Sequence, residues 1–267
     1  MPNVGRLRYL EATPSSRVRP RGVVVLLHAF PLNARMWGPQ FEPLAADGWR
    51  VIAPHMRGVD GAIGDPPTAG IDDYAGDVVD LLDALRVEEA VIGGCSMGGY
   101  LSLALMRLAP NYFRALLLVD TRSQADAPEA REGRLKLLKL AEEQGAAGVL
   151  ADMEPKLLGE TSRRERPDAV EHLRDIAKRN SNESIAGMVR ALMSRNDSTP
   201  ILAGIRVPAL IVVGEEDTIT PPALSQQMHA AIAGSTLEVL PRVGHLPNLE
   251  DAAAFNAVLA HFLSHRV

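Results

Sequence analysis

The chain has 267 residues, 46% of them apolar and 23% charged, enough for one α/β core with a subdomain inserted into it. Its formal net charge of −5 lacks the basic footprint of nucleic-acid or anionic-membrane binders, so neither partner is expected. No stretch resembles a signal peptide, no run of about 18 apolar residues spans a bilayer, and the single cysteine, Cys95, has no disulfide partner. A cytoplasmic, reducing setting is the expectation.

In chain order, a strand is predicted over 4–10, then a turn region rich in Pro, Ser and Arg over 13–21. Residues 23–27 are a continuous β-branched and leucine run, the mark of a strand buried on both faces. A short helix over 39–46 precedes another such strand over 50–53. Residues 72–85 have apolar positions at helical spacing, with Asp72 as the expected cap. A strand over 90–93, a helix after Ser96 and a strand over 115–119 follow. From 122 to 200 the pattern changes to helices over 128–144, 146–158, 167–179 and 183–195, with acidic and basic residues interleaved as on solvated faces. Alternation resumes with a strand over 209–213, a helix over 221–233, a strand over 236–240 and a closing helix over 251–264. This pattern predicts a mostly parallel sheet covered on both faces. The core is assigned to residues 1–121 and 201–267, and an inserted helical cap to residues 122–200.

Gly93-Gly94-Cys95-Ser96-Met97-Gly98-Gly99 sits where the strand over 90–93 meets the next helix, and it contains G-x-S-x-G. A serine on so tight a turn is pushed out of the sheet toward the helix N-terminus, where unpaired N–H groups favour developing negative charge. Gly93 and Gly98 have phosphate-loop spacing, but Gly99-Tyr100 stands where Lys-Ser/Thr is required, and G-x-G-x-x-G is absent. Such a short pattern also arises in plain Gly-rich turns, so its weight depends on partners downstream. Cys95 is expected to face the interior as a small hydrophobe.

Those partners stand on loops after strands, where open α/β sheets gather functional groups. Asp217 follows the strand over 209–213 and His245 the strand over 236–240, giving the order Ser, Asp, His. Serine needs a base to take its proton, and the imidazole of His245 is the side chain suited to take it and return it to a leaving group. A carboxylate on the other ring nitrogen fixes the tautomer and stabilises the imidazolium. Asp217 is preferred over its neighbours Glu215 and Glu216, with Asp120, at the end of the strand over 115–119, as the rival acid. His28 is expected to order its own loop, and His172, His229, His261 and His265 fall in predicted helices. Backbone N–H groups of Met97 and Phe30 are the expected oxyanion donors. No metal cluster and no cofactor are expected.

At these residues the chain resembles the α/β-hydrolase superfamily, in its 3-oxoadipate enol-lactonase-like and carboxylesterase-like branch. The resemblance runs through His28-Ala29-Phe30-Pro31 with Trp37, Met56-Arg57-Gly58, Gly94 to Gly99, Val213 to Asp217 with Pro221-Pro222, and Gly244 to Glu250. It implies the triad Ser96–Asp217–His245 and an acyl-binding cleft beneath the helical cap. Ala29 replaces the usual glycine of the oxyanion loop, and His55 stands where an aspartate commonly precedes Arg-Gly. Serine, rather than aspartate, at the elbow points to acyl-enzyme chemistry on small esters or lactones. The alternatives are an enol-lactonase proper, or a non-catalytic small-molecule receptor on the same fold. Met106, Met153, Met188, Met193, Leu150 and Leu157 are either pocket liners or core.

Overall fold

The β-branched and leucine runs form the middle of an eight-stranded sheet in the computed structural model, which describes residues 3–4, 6–61 and 69–267. Its strands are β1 (Asn3–Val4), β2 (Leu7–Ala12), β3 (Gly22–Leu27), β4 (Trp49–His55), β5 (Ala90–Cys95), β6 (Phe113–Val119), β7 (Ala209–Gly214) and β8 (Thr236–Leu240). They lie in the order β1-β2-β4-β3-β5-β6-β7-β8. Among the described residues only β1 with β2 and β2 with β4 pair antiparallel, and the other pairs are parallel. The sequence pattern predicted one opening strand over 4–10. The chain instead turns back on itself as β1 and β2, with Val4 opposite Leu7; Gly5, inside that predicted span, lies outside the described residues.

The twofold alternation of a strand divides β3 between two apolar layers. Val25 and Leu27 enter one with α2 (Ile71–Ala84) and α3 (Met97–Leu108), while Val24 and Leu26 enter the other with α1 (Gly38–Ala46) and α11 (Ala252–His265). All four side chains are fully buried. Each contributes roughly 1.5–3 kcal/mol relative to exposure, so a one-residue slip of this strand is strongly disfavoured.

Helix boundaries follow local chemistry. Asp251 caps α11 by accepting from the N–H of Ala254 at 3.1 Å. Asp72 does not cap α2. That helix starts one residue earlier, the Gly70 N–H donates to Asp73 Oδ2 at 2.7 Å, and Asp72 pairs instead with Arg107.

Between β6 and β7 the chain runs through α4 (Pro128–Leu157), α5 (Glu160–Glu165), α6 (Pro167–Ala177), α7 (Asn182–Met193) and α8 (Thr199–Leu202) without a strand. α4 is two helices in one span, broken at Gly145 (φ 67°, ψ −162°), where Asn182 Oδ1 accepts from the N–H of Ala146 and restarts the helix. A side chain at Gly145 would collide with Asn182. The remaining helices are α9 (Pro222–Ala231) and α10 (Pro247–Glu250). Among the described residues no helix is long and apolar enough to cross a membrane.

Candidate active site

Ser96 joins β5 to α3 with φ 53° and ψ −110°, a backbone state few non-glycine residues adopt. The turn is held by the N–H of Ser96 on Val119 O (2.9 Å) and by the Thr121 hydroxyl on Ser96 O (2.8 Å). Glycine is required around it because the β3 backbone passes so close: a Cβ on Gly94 would lie 2.5 Å from Leu27 O, and one on Gly98 would strike the same carbonyl. Cys95 and Met97 are completely buried while Ser96 is 8% exposed, so the turn opens at the serine alone. Met97 is the first residue of α3, where N–H groups have no intrahelical acceptor.

The loop after β8 reaches this turn. Cys95 Sγ donates to His245 O at 3.4 Å, which sets the histidine backbone against the residue preceding Ser96. Burial pushes the Cys95 thiol up, in keeping with the small hydrophobe the sequence implied. His245 is 1% exposed, and its Nδ1 lies 2.8 Å from Asp217 Oδ2. Asp217 also accepts from the N–H groups of Ile219 (2.8 Å) and Thr220 (3.1 Å) and from the Thr220 hydroxyl (2.6 Å). Burial alone would raise its carboxyl. The attraction of His245 and the bonds from His245, Thr220 and Asp120 outweigh that and hold it well below the usual range. Its neighbours are otherwise engaged: Glu216 accepts from the Thr161 N–H and hydroxyl, and Glu215 from the N–H of Arg242.

Asp120, the rival acid, sits beside Asp217 rather than on the histidine ring. It is fully buried at the end of β6 (φ 41°), and its Oδ1 accepts from the N–H of Gly214 at 2.9 Å. Burial and the neighbouring Asp217 charge push its carboxyl well above the normal range. Two buried carboxylates side by side resist ionising together, and of the pair it is Asp120 that is held toward the protonated form.

The loop after β3, where the sequence places an expected oxyanion donor, contains a cis Phe30–Pro31 bond. His28 holds it from inside: its ring accepts from the N–H of Met56 through Nε2 (3.2 Å) and lies 3.1 Å from Ala29 O through Nδ1. Burial lowers His28 to about 4, so the ring is neutral, with Nδ1–H donating. His55 is likewise buried and neutral, lowered to about 3 by burial and then by His28, Arg35 and Arg8.

Three contacts had no signal in the sequence. Glu250 accepts from the N–H groups of Gly244 (2.9 Å) and Leu246 (3.0 Å), gripping the histidine loop on both sides, and from that of Gly159 (2.8 Å), just before α5. Asn180, three residues beyond α6, donates to Pro31 O (2.7 Å) and Leu32 O (3.1 Å). Asn33 donates to Ile176 O at 2.9 Å. The segment between β6 and β7 is thereby bonded to the loops after β7, β8 and β3 together.

Among the described residues, Asp120, Asp217 and His245 are the one group of three or more His, Cys, Asp or Glu residues whose ligand atoms all lie within 4.8 Å of one another. Asp217 there already accepts from the N–H groups of Ile219 and Thr220 and from the Thr220 hydroxyl, and it faces His245 Nδ1. His261 and His265 have H-x-x-x-H spacing, which the expectation of no metal cluster passed over. Their rings stack at 4.2 Å on α11.

A family model described as the alpha/beta hydrolase family matches residues 24–258. The 3-oxoadipate enol-lactonase 2 of Acinetobacter baylyi is 28% identical over 236 residues, covering 88% of this chain and 86% of the relative. A putative carbamate hydrolase, RutD, of Variovorax paradoxus is 31% identical over 247 residues, 87% of this chain and 88% of its own. Among solved structures, a malate-bound thermophilic esterase from Thermogutta terrifontis superposes with a TM-score of 0.90 at 31% identity, covering 97% of this chain and 93% of that one.

Proposed function

The chain belongs to the alpha/beta hydrolase family, and from that premise we propose that it is a serine hydrolase of small carboxylic esters or lactones. The observation that carries the reading is the buried 2.8 Å contact between His245 Nδ1 and Asp217 Oδ2, on a histidine whose backbone abuts the serine elbow.

Ser96 Oγ attacks the carbonyl carbon while His245 Nε2 takes its proton. Asp217 keeps the Nδ1–H tautomer and stabilises the imidazolium, and Asp120 steadies Asp217 from behind. The N–H groups of Met97 and Phe30 receive the oxyanion, a pair worth about 3 kcal/mol for each donor lost. His245 returns the proton to the departing alkoxide, leaving an acyl group on Ser96. A water molecule, deprotonated by the same imidazole, then releases the acid. Residues 122–200 act as a cap over the cleft, and their bonds to all three loops support that role. For a lactone the alcohol stays attached to the acyl chain, and the same steps open the ring. Enol-lactones are included by the likeness to the Acinetobacter baylyi relative.

The test is fluorophosphonate labelling combined with turnover of 4-nitrophenyl acetate and a panel of lactones. Labelling at Ser96 is expected, with loss of both activities in Ser96→Ala. Ligand-induced stabilisation without any turnover would establish a receptor instead.

A further inference from the structure

At the edge of the sheet, β8 and the second half of α11 face each other across an open groove of about 470 Å³. Glu238, His261 and His265 line it together, over a floor that includes the buried side chains of Leu210 and Phe262. Leu210 and Thr236, at the starts of β7 and β8, also line it. The groove therefore lies at the opposite end of the strands from the loops that carry Asp217 and His245.

Local geometry brings the three polar side chains to one place. Twofold alternation puts Glu238 on the same face of β8 as Leu240, which packs in the apolar layer of α11. His261 and His265 are one helical turn apart and both exposed, while Phe262 and Leu263 between them turn inward. The two rings stack at 4.2 Å with 28° between their planes. Two nitrogens held by one tetrahedral ion at about 2.1 Å stand about 3.4 Å apart, so little rearrangement separates this pair from a chelate. His265 Nδ1 lies 2.8 Å from His261 O. A carbonyl only accepts, so Nδ1 carries the proton and the lone pair is on Nε2. A bond of this kind to a carbonyl is what fixes the tautomer of metal-bound imidazoles. Among the described residues, the ring nitrogens of His261 and the carboxylate of Glu238 have no hydrogen-bond or ion-pair partner. Arg266, which also lines the groove, is turned to Gly234 O at 2.8 Å.

We propose that His261, His265 and Glu238 form a site for a divalent late transition-metal ion, of which zinc is the representative, and that the ion clips α11 to β8. Two imidazoles and one carboxylate suit zinc and its neighbours, whereas magnesium and calcium prefer shells of oxygen alone. The three ligand atoms do not stand within 4.8 Å of one another as the side chains lie. The histidines take the ion first, and rotation of the unpartnered Glu238 side chain completes the bridge. The chain from Glu238 to His261 passes through His245 and Glu250, so the clip closes a loop around that segment and stabilises the folded chain by mass action.

The test titrates zinc chloride into chelator-stripped protein by calorimetry and follows the melting midpoint, in wild type, His261→Gln, His265→Gln and Glu238→Gln. Wild type should bind zinc at this site with a rise in its melting midpoint. Either histidine substitution should weaken that binding by at least about tenfold, and Glu238→Gln by about threefold or more. Magnesium chloride should give no heat of binding. In the absence of zinc, all three variants should melt within about 2 °C of wild type, so that a lost site is not a lost fold. No zinc binding by wild type would overturn the proposal. So would binding of unchanged affinity and stoichiometry in His265→Gln, the result expected of an ion held only at Asp120, Asp217 and His245. Full affinity in Glu238→Gln would overturn the clip to β8.

Discussion

The strand ends and the helices between β6 and β7 use charge in opposite ways. On the loops after the strands and in α10, Asp120, Asp217, His245 and Glu250 are all buried, and each has a named hydrogen-bond partner. On the helices, Lys139–Glu143, Lys156–Asp152 and Lys178–Asp175 are one-turn pairs lying largely in solvent. A buried acceptor has a few fixed donors and no water to replace them, whereas an exposed pair has water on every side. Position in the fold, not charge, therefore sets what each residue is worth.

Four substitutions or conditions probe that contrast. Asp217→Asn should have the largest effect, lowering kcat by about ten-thousandfold, because the amide cannot keep the imidazole tautomer that a carboxylate keeps. Circular dichroism should show the fold unchanged, and a loss below tenfold would move the acid's role elsewhere. Glu250→Gln comes next. One amide oxygen cannot serve Gly159, Gly244 and Leu246 together, so about 2 kcal/mol of stability should be lost in urea unfolding. As a positioning residue for His245, it should lower kcat more than it raises KM.

Acid sharpens the same comparison. His28 and His55 are neutral in the fold, held at about 4 and about 3, while in the unfolded chain they protonate near pH 6.5. Their contribution is complete above about pH 6.5 and is lost as pH falls through the folded values. Urea midpoints should decline from pH 7 toward pH 4, and His55→Asn should flatten the decline. The smallest effect belongs to Lys139→Ala, which should shift stability by no more than about 0.5 kcal/mol, within the noise of a thermal melt.

Much of this was legible in the chain itself. Runs such as Val23 to Leu27 announce buried strands because both faces of a parallel sheet are covered, and Gly145 marks the break between two helices because the turn needs a positive φ. The order Ser96, Asp217, His245 placed each residue after a strand, and the sheet order then brought Asp217 to the histidine. What stayed hidden were contacts made only by the closed fold. The pairing of Asp120 with Asp217 depends on β6 lying next to β7. Glu250 stands just ahead of the predicted helix over 251–264 and looks like any surface glutamate until the N–H groups of Gly159, Gly244 and Leu246 converge on it. The opening hairpin went unseen because a single glycine, Gly5, is the one turn signal inside the predicted strand over 4–10.

The two asparagines that tie the loop after β3 to α6 and the turn beyond it carry a consequence for exchanging parts between relatives. Pro31 O and Leu32 O are held by Asn180, and Asn33 reaches back to Ile176. Replacing the helical segment with one from another member of the family would thus swap more than the walls of the pocket. It would remove the struts that hold the loop proposed to supply an oxyanion donor, and a chimera that gained a new substrate range would be slow on every substrate until its loop partners were transplanted too.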